Sequence, residues 1–431
     1  MKKLILFGLV LFLAHTQFYA QTKSAQRSSQ LEEASCQSVG LSPERVARID
    51  KMCKEEVQKG NLPGAVSLLS RNGKIVHWKA YGSATADGRE MKRDDIFRIA
   101  SQSKAITSTA VMILWEEGKF QLDDPISKYI PEFKGQQVLK TFQYSDTSWT
   151  GEPVKNEITI RNLLTHTSGI GYGVIDSDER FKMLYQKAGV TDLFTTEDIT
   201  IEESVKKLAK LPLHHQPGEK FTYSEGLDVL GYFIEVVSGM PFDEFLKTHI
   251  FDPLGMDDTR FYQPESKAER LVDVQHKVNG TWKKYPVTFY DTDYPIKGAK
   301  SFFSGGAGLS STAKDYAVFL QMYLNGGEYN GIRLLSRKTV NVILSNQIGD
   351  IWGENSDNKF GLAFELVTET GQNKGGNGSM GTFSWGGYFN TQYFADPEEN
   401  IIGIIMKQTQ GTVHDATGWK FKQLVFQTLD D

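Results

Sequence analysis

Ser101 and Lys104 stand where a short apolar run, 97–100, gives way to a helical pattern. Ile106, Ala110, Ile113 and Leu114 recur at helical spacing, and Gly118 ends them. The pattern predicts Ser101 at a helix entrance, with Lys104 one turn further along the same face. Unbonded N–H groups and a partial positive charge at a helix N-terminus favour a developing oxyanion. A lysine one turn away can take or hold a proton. Together they outline a Ser/Lys nucleophile for acyl transfer. Spacing alone is unselective, because Ser204/Lys207, Ser311/Lys314 and Ser356/Lys359 repeat it. Ser311 reads better as a helix cap, with Asp315 in the first turn of a helix reaching Leu324.

Further residues could serve this nucleophile. Tyr223 precedes a helix starting near Gly226. It reads either as a hydrophobic staple or as a phenol presented to a site, where a nearby cation would make it a base. His166 lies in Leu-Leu-Thr-His-Thr-Ser-Gly and reads better as a buried turn residue than as a base for Ser101. The glycines of Trp385-Gly386-Gly387 end a strand-like run, as a bulge or as a place where substrate approaches the backbone. The stretch 376–381 matches G-x-G-x-x-G, but a strand pattern follows it where a dinucleotide loop would open a helix. There is no G-x-S-x-G, no H-E-x-x-H and no Cys/His metal spacing. The adjacent His214 and His215 read as loop residues.

The elements that must position these residues are legible in outline. A helix is expected from Ser42 to about Lys59, with Pro43 in its first turn. Strands at 65–70 and 75–81 join through Asn72-Gly73, a hairpin signal. From 101 to about 300 the chain reads as helices and loops, with helices at 202–211, 227–237 and 242–250. The stretch 133–155 reads as polar and irregular. Strands follow at 382–385, 389–394 and 401–406, and a helix closes the chain from about Thr417. The economical α/β (α+β) arrangement is one antiparallel sheet, flanked by N- and C-terminal helices, with a mostly helical region inserted at about 101–300.

The 431 residues suffice for a sizeable core, and 39% hydrophobic content suits a globular chain. A net charge of -5 without a basic cluster argues against a nucleic-acid partner. Lys2-Lys3, an apolar run from Leu4 to Ala14 and polar residues to Ala20 read as a secretory signal at 1–20. The chain is therefore expected to be exported, periplasmic or extracellular. That run is too short for a comfortable membrane span, and no later stretch is long enough. The polar segment 21–40 reads as a flexible linker. Cys36 and Cys53 are too few for a disulfide framework, although export would permit one bridge.

Taken together, these stretches resemble the serine β-lactamase-like superfamily, on the side of class C β-lactamases, family VIII esterases and serine D-Ala-D-Ala carboxypeptidases. The matching segments include 62–66, 97–104, 163–170, 217–231, 251–256, 304–312 and Trp385-Gly386-Gly387, in family order within 41–431. The resemblance implies that Ser101 forms an acyl-enzyme, that Lys104 is its proton partner and that Tyr223 is the general base. It also implies that Trp385, Gly386 and Gly387 line the site, with the N–H groups of Ser101 and Tyr388 as oxyanion hole. Two departures stand out. The second motif, usually Tyr-x-Asn, is Tyr223-Ser224-Glu225, and Glu225 is expected to pair with Lys104 and keep it charged. The third motif, usually opened by Lys or His, begins with Trp385, which cannot hold a substrate carboxylate. The expected activity is ester hydrolysis on a small-molecule substrate. A β-lactamase or peptidase acting on amides is the alternative, and a catalytically weak binding protein the third reading. No metal or cofactor is implied.

Overall fold

Asn72 and Gly73, at φ 52° and 72°, turn the chain tightly between two long strands. That hairpin is part of an eight-stranded sheet in the computed structural model, which describes residues 22–375, 378–411 and 415–431. The signal expected at 1–20 lies outside the described residues. The strands are β1 (Glu32–Glu33), β2 (Gly64–Arg71), β3 (Lys74–Gly82), β4 (Asn358–Phe360), β5 (Glu365–Val367), β6 (Phe383–Gly386), β7 (Gln392–Asp396) and β8 (Ile401–Met406). Their order is β4-β5-β6-β7-β8-β2-β3-β1, antiparallel throughout except for the β1–β3 pair.

Both faces of β2 and β8 are covered, and every residue of the two strands is buried. Ala65, Leu69, Ile401 and Ile405 face one way, onto Ile49, Cys53, Phe421 and Val425. Those residues belong to the terminal helices α1 (Pro43–Gln58) and α5 (Thr417–Phe426), defined here with α2 (Ser103–Glu116), α3 (Gly226–Ser238) and α4 (Ala313–Leu324). Val66, Leu68, Ile402 and Ile404 face the other way, into the larger core that includes α2, α3 and α4. The Ser42 side chain caps α1 by accepting from the Arg45 N–H, with Pro43 in the first turn as expected.

Several expectations are corrected. The segment expected as a flexible linker is docked: β1 pairs with β3, Leu31 is buried, and Thr22–Lys23 pairs with Ile332–Arg333. Its few apolar groups and backbone N–H groups find partners that composition does not reveal. The stretch 133–155 contains an antiparallel hairpin, Gln137–Phe142 with Trp149–Pro153. The last stretches of the sheet include β4 and β5, too short to give a periodic signal, and β7 begins at Gln392 because a turn occupies 387–390. The inserted region extends beyond 300 to include α4, whose cap is Thr312 rather than Ser311. Cys36 and Cys53 are both free. Among the described residues no helix is long and apolar enough to cross a membrane.

Candidate active site

Ile99 and Ala100 bring the chain off the sheet and into a short turn, Ala100–Gln102, that leads directly into α2. Ala100 has φ 43°, a left-handed conformation disfavoured by its β-carbon. The turn places the half-buried Ser101 at the helix entrance, as the sequence predicts. Lys104, 1% exposed, extends its Nζ to 3.5 Å from Ser101 Oγ. The same ammonium donates to the Tyr172 hydroxyl and to the Gly306 carbonyl, each at 2.8 Å. Gly306 must be glycine here, because a β-carbon would lie 2.8 Å from Asp228 Oδ2 and 3.4 Å from Lys104 Nζ.

Tyr223 reaches the site from the loop before α3. Lys104 Nζ lies 4.7 Å from the centre of its ring. Trp385, on β6, donates from Nε1 to the Tyr223 hydroxyl at 3.4 Å. The structure thus brings together Ser101, Lys104, Tyr223 and Trp385 from three separate stretches of chain. Ser101, Tyr223 and Trp385 line a cleft of about 560 Å³ that continues past Tyr388 to Trp419 and Lys422 on α5, with Lys104 buried behind Ser101.

The two glycines after Trp385 have different reasons. A β-carbon on Gly387 would lie 2.5 Å from the Ile99 carbonyl and 2.2 Å from Thr391 Oγ1, so β6 could not press against the Ser101 turn. On Gly386 it would meet only the Thr391 carbonyl at 3.3 Å and the Gln392 side chain at 3.7 Å. The Gly387 N–H donates to the Thr391 carbonyl at 2.7 Å. The Tyr388 carbonyl accepts from Gln410 at 2.9 Å, while no hydrogen bond among the described residues uses the Tyr388 N–H.

Glu225 differs from its expected role. It is 2% exposed, yet no ion pair joins it to Lys104, whose partners are Ser101, Tyr172 and Gly306. Glu225 lies instead against the Asp192 carboxyl and the Gly173 N–H. Burial pushes it well above the usual carboxylate range, and the adjoining Asp192 pushes it further. The acid nearer to Lys104 is Asp228, whose Oδ1 accepts from the Gly306 N–H at 3.2 Å. Burial raises Asp228 too, against hydrogen bonds from Ser304 and Gly306 and the attraction of Lys104.

His166 is no base for Ser101. Its Nδ1 accepts from the Ser224 N–H at 3.2 Å and meets Ser224 Oγ at 3.0 Å, and its ring lies 4.6 Å from that of Tyr223. Burial holds its pKa well below the usual imidazole range, so it supports the tyrosine loop as a neutral ring. Sequence reasoning missed Tyr172 and Asp192, which carry no motif of their own, and gave no role to Gly306, which lies in the matching segment 304–312. Asp228 could have been noticed as an acid one turn after Glu225 on the same helix face. Also missed was the buried Arg98, which donates to the carbonyls of Thr292 and Val272 at 2.5 and 2.6 Å and ties the inserted loops to the strand before Ser101. Among the described residues no cluster of His, Cys, Asp and Glu could hold a metal ion.

Comparison with known proteins agrees with this geometry. The family profile described as Beta-lactamase matches residues 49–426. Protein Rv1367c of Mycobacterium tuberculosis is 32% identical over 366 residues, covering 82% of this chain and 88% of its own. Esterase EstB of Burkholderia gladioli is 29% identical over 382 residues, covering 84% and 90%. Among solved structures, EstCE1, described as a hydrolase with promiscuous acyltransferase activity, superposes with a TM-score of 0.76 over 89% of this chain and 99% of its own. At 24% identity that likeness speaks for the fold alone. With the Ser101 turn, the tyrosine loop and the glycine-edged strand in family order around one cleft, the chain belongs to the beta-lactamase family and is a hydrolase of the serine type.

Proposed function

We propose that the chain is an exported serine carboxylesterase that works through an acyl-enzyme on Ser101. The observation that carries this reading is Trp385. It stands at the start of the third motif, where a lysine or histidine would supply a cation, and its indole is spent on the Tyr223 hydroxyl. A neutral ester needs no such cation. In acylation Tyr223 takes the Ser101 proton as Oγ attacks the ester carbonyl carbon. The buried Lys104 ammonium offsets the charge that the phenolic oxygen carries in its base form. The oxyanion is received by the N–H groups of Ser101 and Tyr388, and losing one such donor typically costs about a hundredfold or more in rate. The tetrahedral adduct collapses by breaking the C–O bond, and the alcohol leaves with the proton. Water then repeats the sequence on the acyl-enzyme, releasing the acid and restoring Ser101.

One observation favours a second reading, a β-lactamase or peptidase. Lys422 lines the same cleft, lies 5.3 Å from the Phe394 ring centre, and has no carboxylate within ion-pair distance among the described residues. It could hold the carboxylate that Trp385 cannot. The test is to offer p-nitrophenyl butyrate, a cephalosporin and a D-Ala-D-Ala peptide to the mature protein and to Ser101→Ala. Ester turnover that disappears in the variant supports the esterase. Turnover of the cephalosporin or the peptide alone would overturn it in favour of the second reading.

A further inference from the structure

Four successive backbone N–H groups around Tyr172 each meet a side chain. Gly171 donates to the Tyr185 hydroxyl at 3.2 Å, Tyr172 to Asp176 Oδ2 at 2.9 Å, and Val174 to Asp192 Oδ2 at 2.5 Å. The Gly173 N–H meets the Glu225 carboxyl, and the Glu225 N–H donates to the Gly171 carbonyl at 3.0 Å. The loop packs closely at both of its glycines. A β-carbon on Gly171 would lie 2.3 Å from Asp176 Oδ2 and 2.3 Å from His214 Nε2, and one on Gly173 would lie 3.0 Å from Asp192 Oδ2. The loop therefore holds the Tyr172 hydroxyl against Lys104 through side chains, not through a regular element.

Two of those side chains, Asp192 and Glu225, are carboxyls in direct contact with each other. Asp192 is 9% exposed and Glu225 2% exposed. Two buried carboxylates cannot both be ionised in contact, since repulsion adds to desolvation. We propose that Asp192 and Glu225 share one proton, Glu225 donating it to Asp192, and that this proton positions Tyr172 and through it Lys104. Each carboxyl accepts one backbone N–H, Asp192 from Val174 and Glu225 from Gly173, and the deeper burial of Glu225, 2% exposed against 9%, assigns the proton to it. Glu225 Oε1 and Asp192 Oδ1 have no other hydrogen-bond partner, so nothing else absorbs a second charge. The groups facing the pair are Asp176 and Tyr185 from the outer side, and Tyr172, Asp228, Lys104 and Tyr388 from the site. Lys104 is the one cation among them, and Tyr172 and Gly306 already occupy it.

Both carboxyls are positioning residues. Removing the shared proton at high pH would drive them apart, release the loop and withdraw Tyr172 from Lys104. The inference rests on the acyl-enzyme reading, and the test separates the two. A fluorophosphonate probe labels a working Ser101 without requiring a particular ester. Labelling rates are measured against pH for the full mature chain and for Glu225→Gln, whose amide donates to Asp192 but cannot lose the proton. The variant should label within about threefold of wild type at neutral pH and should lose the alkaline fall of the wild-type profile, or move it upward. Glu225→Ala should be slow at every pH. Superimposed pH profiles for wild type and Glu225→Gln would overturn the shared proton while leaving the nucleophile intact. No labelling of the wild-type chain would remove the acyl-enzyme reading and this proposal with it. Infrared difference spectra of the wild-type chain alone supply a check independent of any variant. A protonated-carboxyl stretch should vanish over the same pH range as the labelling rate, and its absence at neutral pH would also overturn the proposal.

Discussion

The Lys104 ammonium donates to the Tyr172 hydroxyl at 2.8 Å. This contact joins the first turn of α2 to a loop 68 residues further along the chain. Tyr172 is 2% exposed, so the bond is made away from competing water. Tyr172→Phe keeps the ring and removes the oxygen. The expected result is a fall in kcat of about tenfold to a hundredfold with KM little changed, the signature of a group that aims the proton partner and does not bind substrate. Steady-state kinetics on an ester, with a melting curve to show the fold intact, checks it.

Gly386 and Gly387 should respond differently to the same change. Gly387→Ala forces a β-carbon to 2.5 Å from the Ile99 carbonyl and should abolish activity by pushing β6 off the Ser101 turn. Gly386→Ala meets nothing closer than 3.3 Å and should retain activity within about tenfold. Ester turnover of the two variants side by side decides it.

Glu225 carries a stability prediction with a definite sign. Its carboxyl holds a proton in the folded chain to a higher pH than in the unfolded chain, because burial and then Asp192 penalise its charge. The folded state thus binds more protons above the ordinary glutamate range, and this group's contribution to stability is lost as pH rises through that window. Relative to Glu225→Gln, the wild-type chain should be most stable at low pH and lose ground as pH increases. Urea unfolding of both chains across pH measures the difference, and a difference independent of pH would contradict it.

Lys422 separates neutral from anionic substrates. Burial lowers its pKa to about 8, against the attraction of Glu365 and Asp396. If it receives a substrate carboxylate, KM for a carboxylate-bearing substrate should rise as pH passes about 8, while KM for a neutral ester stays level. Lys422→Met should leave the neutral ester within about threefold and remove the pH dependence for the anionic one.

Arg98 is a prediction for the fold. Its guanidinium is 1% exposed and donates to the Thr292 and Val272 carbonyls and to Gln408. Arg98→Leu would strand those acceptors, at a cost of about 3 kcal/mol or more in unfolding free energy. Chemical denaturation checks the loss.

Much of this is legible in the sequence. Asn72-Gly73 marked the hairpin because only a left-handed turn suits that pair between two apolar runs. Ser42-Pro43 marked the start of α1, and the residues after Ser101 marked α2. The short edge strands β4 and β5 were not legible, since three residues show no period. The segment 21–40 was misread because its polar composition hid backbone pairing with β3. Glu225 was paired with the wrong neighbour, since Asp192 sits 33 residues earlier in a loop without a motif and only folding brings the two together.

By itself, then, the sequence determined the identity and order of the chemical groups. Ser101 at a helix entrance, Lys104 one turn on, a tyrosine before a helix and a Trp-Gly-Gly strand end are local patterns, set by backbone preference and side-chain period. Only the tertiary structure decided what surrounds them. It gave Lys104 a phenol and a carbonyl as partners in place of a carboxylate, put Glu225 against Asp192, and laid the end of β6 against the Ser101 turn at Gly387, where there is no room for a β-carbon. Contacts between distant segments, and the protonation that burial imposes on them, depend on how the whole chain excludes water. No local stretch encodes that.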